Sequence, residues 1–354
     1  MSDNTLGPLN KASALPDQSL QPHEQKPWFL ENGRYYGNFC TGRNMLPVDK
    51  EEQDRMDMMH ELFCIMRKPD TTHGLHEARL HTGKPLILDL GCGTGIWAMD
   101  MAAKYPDGIV IGLDLNFWQP ESIPPNTVFK RQDIEERQWD MESDSVDLIH
   151  IRMLSGSIRD WCGLYKNALQ YLKPGEGVIE HVEIDWEPLS DDNSLPSDSK
   201  FRLWFNEVNL AYEDAGQPIS LKSSPKSWFE EAGFVDIRCN IKEIPCHPWP
   251  RDKNFKEAGT FFQTAAITCR GMEALSMAPL TRYRQFTKEQ VTALVQGVEQ
   301  ELRTESKRAH CRIAQPRPVI AGPVGGGGGG EGVGGGGIID LDEIETENGP
   351  HGVV

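Results

Sequence analysis

Thirteen residues constrain this chain more than any others: Leu86-Ile-Leu-Asp-Leu-Gly-Cys-Gly-Thr-Gly-Ile-Trp-Ala98. The apolar run reads as a buried strand ending at Asp89-Leu90, and Gly91, Gly93 and Gly95 form a loop after it. Glycine is needed where the backbone turns sharply and approaches a ligand with no Cβ in the way. A helix begins near Ile96, and the next apolar run, VIGLDL, ends on Asp114, 25 residues after Asp89. A lone glycine triad says little. A strand before it, a helix after it and an acid closing the following strand together mark a nucleotide-cofactor loop.

The surroundings repeat the pattern. Apolar runs at Leu86–Leu90, Ile109–Leu113, Val128–Lys130, Val146–Ile151 and Gly177–Ile184 alternate with helical stretches such as Trp97–Tyr105 and Leu164–Leu172. Alternation of this kind implies parallel βαβ units. The fold class is therefore α/β, a Rossmann-like doubly wound sheet with ligands at the carboxyl ends of its strands. Further helices are expected at Phe201–Ala215, Pro225–Ala232, Asn254–Ala274 and Lys288–Glu305, with a strand over Val235–Ile244. Ahead of the sheet, Met56, Met59, Leu62, Phe63 and Met66 recur at spacings of three and four, the stripe of an amphipathic helix within 48–66. Asp49 is its N-cap, with Glu52 loosely completing a capping box. Packing of that helix on the domain as a cap is the plainest reading.

Spacing also bears on the cofactor. Dinucleotide folds use GxGxxG, whose third glycine admits a pyrophosphate at the helix N-terminus. Here the pattern is GxGxG, and Ile96 and Trp97 stand where that glycine would come. DLGCGTG after an apolar run resembles motif I of class I S-adenosylmethionine-dependent methyltransferases. That resemblance implies a mostly parallel seven-stranded sheet and S-adenosyl-L-methionine as cofactor, held by Asp89, Gly91, Gly93 and Gly95. It implies that Asp114, with Leu115 beside it, receives the ribose hydroxyls, and that Asp133 and Ile134 meet the adenine.

Longer stretches resemble one family, the fungal LaeA-like methyltransferases, the group of the secondary-metabolism regulator that joins the velvet complex. They are ENGRYYGNF (31–39), PVDKEEQDRMDMMHELF (47–63), LDLGCGTGIWAMDMAAKYPD (88–107), DSVDLIHIRMLSGS (144–157), LYKNALQYLKPG (164–175), EHVEIDWEP (180–188) and APLTR (278–282). The resemblance implies control of secondary-metabolite gene clusters, velvet-family proteins as partners, and a place in the nucleus or cytoplasm. Paralogues of this kind include enzymes that methylate small molecules, and a cofactor-binding scaffold without turnover is the non-enzyme alternative. The N-terminal arm holds no basic cluster, so a nuclear location rests on the resemblance alone.

The acceptor side is open. Methyl transfer needs alignment and exclusion of water, and needs a base only when the acceptor must lose a proton. In EHVEIDWEP, period two puts His181, Glu183 and Asp185 on one face at the carboxyl end of the fifth strand. His181 or Glu183 could then act as base, or both could belong to a structural hydrogen-bond network. Arg152 joins the cofactor candidates, while Met153, Trp161, Tyr35 and Tyr36 are further pocket candidates, and Trp139 lies near the cofactor region or in the core.

Charge and composition exclude other classes. With 53 Asp+Glu against 36 Lys+Arg the net charge is −17, which repels polyanions and disfavours direct nucleic-acid binding. No run of apolar residues is long enough for a membrane span. Eight cysteines with no CxxC pair give neither a zinc-site nor a redox spacing. The ordered domain is expected over 27–320, between a disordered arm (1–26) and a disordered acidic tail (321–354), in which residues 325–337 are glycine at 11 of 13 positions. One departure from the family sheet is expected. The final strand should be stunted to 309–313 or missing, because Pro316 and Pro318 follow and proline cannot donate to a ladder.

Overall fold

The computed structural model describes residues 27–67, 74–220, 225–304 and 308–319; the expected arm at 1–26 and tail at 321–354 lie outside the described residues. A hairpin the periodicity did not announce, β1 (Trp28–Glu31) and β2 (Arg34–Gly37), leads into helix α1 (Lys50–Arg67). Asp49 Oδ1 accepts the Glu52 N–H at 3.2 Å, the N-cap bond. Glu52 does not complete the capping box, because its carboxylate turns to Arg55.

The alternating segment then folds as β3 (Leu86–Leu90), α2 (Ile96–Lys104), β4 (Ile109–Asp114), β5 (Thr127–Arg131), β6 (Leu148–Arg152), α3 (Trp161–Tyr171) and β7 (Val178–Leu189). After it come α4 (Lys200–Asp214), α5 (Pro225–Ala232), β8 (Val235–Pro245), α6 (Lys253–Gln263), α7 (Gly271–Tyr283), α8 (Lys288–Leu302) and β9 (His310–Val319). Where one helix was expected near Asn254–Ala274 there are two. A π-turn at Thr264–Thr268 and a left-handed Arg270 (φ 55°) end the first and turn the chain into α7.

Seven strands form one sheet in the order β5-β4-β3-β6-β7-β9-β8, with β3 to β7 parallel and β9 antiparallel to both of its neighbours. The expectation of a stunted or missing last strand is wrong. Strand β9 has ten residues and inserts between β7 and β8. The prolines are tolerated because residues two apart point their N–H groups to the same flank, so a single flank loses both donors. Pairing with β8 runs unbroken from Arg317 to His310, Cys239↔Pro316 included. Pairs with β7 are Val178↔Val319 and then Glu183↔Ala314 onward.

The two faces carry separate cores. On one face Leu88, Leu90, Ile149, Ile151 and Ile179 pack under α3 and α5 with Tyr165 and Phe229. On the other, Ile87, Val110 and Leu148 pack under α2 with Trp97 and Met101. Helices α1, α4, α6, α7 and α8 build a third core with Val182, Ile184 and Ile313. Among the described residues no helix is long and apolar enough to cross a membrane.

Candidate functional site

The strand order reverses at β3, which has β4 on one side and β6 on the other, and ligands of open α/β sheets bind at such a switch point. A cleft opens there. Its floor is Asp89, His150 and the glycine loop; its walls include Asp114 and Trp118, the segment Arg152–Leu154, and Glu52, Arg55, Met56 and Met59 of α1. Helix α1 is therefore a wall of the site as well as a packed cap.

All three loop glycines hold left-handed backbone that other residues rarely adopt, Gly95 (φ 77°) included. Gly91 (φ 69°) would drive a Cβ into Leu154, and Gly93 (φ 54°) would set one 2.9 Å from Met56 Sδ. Asp114 fixes the loop from the next strand. Its Oδ2 accepts the Gly93 N–H at 2.9 Å, and its Oδ1 accepts the Asn116 N–H at 2.9 Å and the Trp118 indole N–H at 3.1 Å. Burial pushes the Asp114 carboxyl above its ordinary range.

Beneath the loop, Asp89 and His150 are opposite each other in the parallel register, with Oδ1 and Nδ1 2.9 Å apart. Burial drives Asp89 up to about 8 and His150 well below its ordinary range. Both shifts disfavour the charged forms, as burial does for any ionisable group taken out of water. The His150 ring stacks on Trp97 at 3.7 Å, and its Nε2, fully buried, has no hydrogen-bond partner.

Arg152 brings a cation to the same floor. Its Nη2 donates to His60 Nδ1 at 3.1 Å, and the opposite ring nitrogen of His60 lies 3.1 Å from Asp100. Among the described residues no carboxylate lies within 4 Å of the Arg152 guanidinium, and burial lowers its pKa. A buried cation with no carboxylate partner, held over the Phe63 ring at 5.3 Å, suits a carboxylate-bearing ligand. Arg55, in contrast, is spoken for: it meets Glu52 at 2.9 and 2.6 Å in a buried pair.

Of the residues expected from sequence, Asp89, Gly91, Gly93, Asp114 and Arg152 line the cleft, as does Met153. Gly95 is the left-handed residue before α2, and Leu115 follows Asp114; neither lines the cleft. Asp133 is covered by Arg43, with Nη2 to Oδ2 at 3.1 Å, and Ile134 belongs to the core with Leu113 and Trp139. Trp139 is core, stacked on Tyr171. Tyr36 is buried under Arg282, and Tyr35 is exposed against Trp28.

The face chosen for His181 and Glu183 needs correcting. They do share a face, but it is the one covered by α3 and α5. His181 lies among Trp161, Tyr165 and Phe229, with Nδ1 2.8 Å from the Tyr165 hydroxyl and Nε2 2.9 Å from Glu183 Oε1. Glu183 Oε1 also accepts the Leu154 and Ser155 N–H groups at 2.7 and 3.2 Å. Neither side chain lines the cleft. Their role is positioning: they hold the loop after β6 from below. Sequence reasoning passed over His150, Trp118 and Arg55, and read Glu52 only as part of a capping box. An ionisable side chain inside the apolar run of β6 was the one available signal for His150.

A family model described as a methyltransferase domain matches residues 60–238. The secondary metabolism regulator LAE1 of Cochliobolus heterostrophus is 42% identical over 278 residues, covering 77% of this chain and 89% of that one. The protein-methionine methyltransferase laeA of Emericella nidulans is 36% identical over 282 residues, 78% of this chain and 72% of that one. Among solved structures, phosphoethanolamine N-methyltransferase 2 of Haemonchus contortus, in complex with S-adenosyl-L-methionine, covers 75% of this chain and 52% of that chain at 17% identity, with a TM-score of 0.39.

Proposed function

Because the chain belongs to the LaeA-type secondary-metabolism regulators and is an S-adenosylmethionine-dependent methyltransferase, we propose that it methylates a thioether, a methionine side chain of a protein, and thereby regulates secondary-metabolite gene clusters. One observation carries the choice of acceptor. Every carboxylate lining the cleft already has a partner: Asp89 has His150, Glu52 has Arg55, and Asp114 has Gly93, Asn116 and Trp118. Without a free base, hydroxyl and protonated-nitrogen acceptors are poorly served. Bound S-adenosylmethionine supplies a sulfonium methyl, which a thioether sulfur accepts with no proton to remove, leaving S-adenosylhomocysteine and a new sulfonium. The relative from Emericella nidulans, named for protein-methionine methylation, supports the same reading.

In this proposal the chain's own residues bind, orient and exclude water. Asp114 and the Gly91–Gly93 backbone hold the nucleoside end, while the Arg152 cation takes the amino-acid carboxylate. Met56, Met59 and Met153 give the acceptor a soft, apolar approach. Asp133 takes the adenine in competition with the Arg43 guanidinium that covers it. Velvet-family proteins as partners and a place in the nucleus complete the proposal, supported by membership in a family of regulators.

The test is transfer of labelled methyl from S-adenosylmethionine to host extract by the purified full chain, followed by separation of protein from metabolites and peptide mapping. Label on protein methionine is the expected result. Label confined to metabolites would establish the small-molecule enzyme instead, and cofactor binding with no transfer would establish the scaffold.

A further inference from the structure

Far from the cleft, at the other edge of the sheet, three side chains from three segments converge: Asp191 after β7, Glu243 on β8 and His310 at the start of β9. We propose that they form a site for a divalent transition-metal ion of zinc's type, which ties the inserted last strand to its neighbours.

His310 carries the argument. It is only 3% exposed, yet neither ring nitrogen has a hydrogen bond among the described residues. Its Nε2 points at two carboxylates, 3.6 Å from Glu243 Oε1 and 3.9 Å from Asp191 Oδ1. Both separations are too long for a hydrogen bond. They come close to the spacing of two ligands on one tetrahedral ion, about 3.3–3.6 Å for metal–ligand bonds of about 2.0–2.2 Å. All three ligand atoms lie within 4.8 Å of one another. One nitrogen and two carboxylate oxygens, with water in the fourth position, suit zinc better than calcium or magnesium, which take all-oxygen sets.

Charge points the same way. Asp191 and Glu243 set two like charges together with no Lys or Arg within 4 Å of either among the described residues. Arg308 is engaged with the adjacent Asp192 at 3.3 Å. Arg312 stands opposite Glu243 in the β8–β9 register but makes no ion pair with it. The position explains what an ion would do. β9 is the last strand in chain order and carries two prolines, and a metal at its first residue would fix its register against β8 and the loop after β7.

The experiment is titration of the metal-stripped full chain with zinc chloride, by calorimetry and by competition with a chromophoric chelator. Cobalt(II) serves as a spectroscopic stand-in. Expected are saturable binding at a single site, a rise in the thermal midpoint, and cobalt bands of a nitrogen–oxygen site without thiolate charge transfer. His310→Gln and Glu243→Gln should each weaken zinc binding by about 100-fold or more, beyond the loss typical of a supporting outer-shell residue. Glu243→Gln keeps the shape of the side chain, and circular dichroism checks the fold of both variants. The proposal is overturned if zinc does not bind, if binding is unchanged in both variants, or if cobalt spectra show cysteine ligation.

Discussion

Replacing Asp114 with alanine should separate the cofactor reading from a purely structural one. The carboxylate accepts three hydrogen bonds in the free chain, from Gly93, Asn116 and Trp118, at 2.9, 2.9 and 3.1 Å. A carboxylate offers about four lone-pair sites, so a ribose hydroxyl takes the remaining one and a second must displace or share the indole's. A hydrogen bond to a charged group contributes about 1.5–3 kcal/mol. Loss of one or two therefore weakens S-adenosylmethionine binding by about 10- to 100-fold, read by calorimetry on the purified chain. Trp118→Phe removes the competing donor and should leave affinity equal or higher. Burial holds the Asp114 carboxyl above its ordinary range, so its charge, and cofactor affinity with it, is lost at a higher pH than for an exposed aspartate. Asp114→Asn should lack that acidic limb. Folded Asp114→Ala protein that binds the cofactor as tightly as the parent would refute the assignment.

Other perturbations read other parts of the structure. Asp89 has a folded-state pKa of about 8 against an ordinary 3.8, so between these values the unfolded chain releases a proton that the folded chain keeps. Its contribution is full below the ordinary value and is lost as pH rises through about 8. Relative to Asp89→Asn, the parent should lose roughly 2–5 kcal/mol across that window, measured by denaturant unfolding at several pH values; parallel curves would sink the idea. Glu183→Ala strands the Leu154 and Ser155 N–H groups and should cost about 1–3 kcal/mol of stability. If His181 positions rather than reacts, His181→Gln should shift KM and stability while leaving the pH profile of kcat in place; loss of a basic limb would make it the base. Truncation after Arg308 removes β9 from between β7 and β8 and should abolish cooperative unfolding, which a thermal melt would detect.

Much of the site was legible because its signals are local. Strand, glycine loop, helix and following acid lie within 29 residues, Leu86 to Asp114, and each obeys a short-range rule: apolar run, absent Cβ, helix start. The lining by Asp89, Gly91, Gly93 and Asp114 follows from that run. His150 was not legible, since it becomes a neighbour of Asp89 only through parallel pairing of strands 61 residues apart. Trp118 and Arg55 reach the cleft through a loop and a helix whose patterns announce only packing. Arg43 over Asp133 likewise depends on where the segment before α1 is laid across the sheet end.

The sequence by itself determined the elements, the sharing of faces and the cofactor loop, because periodicity and backbone sterics act over a few residues. It placed His181 and Glu183 on one face of β7, and they are on one face. Only the tertiary structure decided that α3 and α5 cover that face, turning a candidate base into a prop for Leu154 and Ser155. It decided the last strand too. Pro316 and Pro318 forbid donation to one flank only, and β8 lies on β9 in unbroken register from Arg317 to His310. A doubly wound sheet has helices on both faces, and which of them leaves a cleft open depends on contacts between residues far apart in the chain.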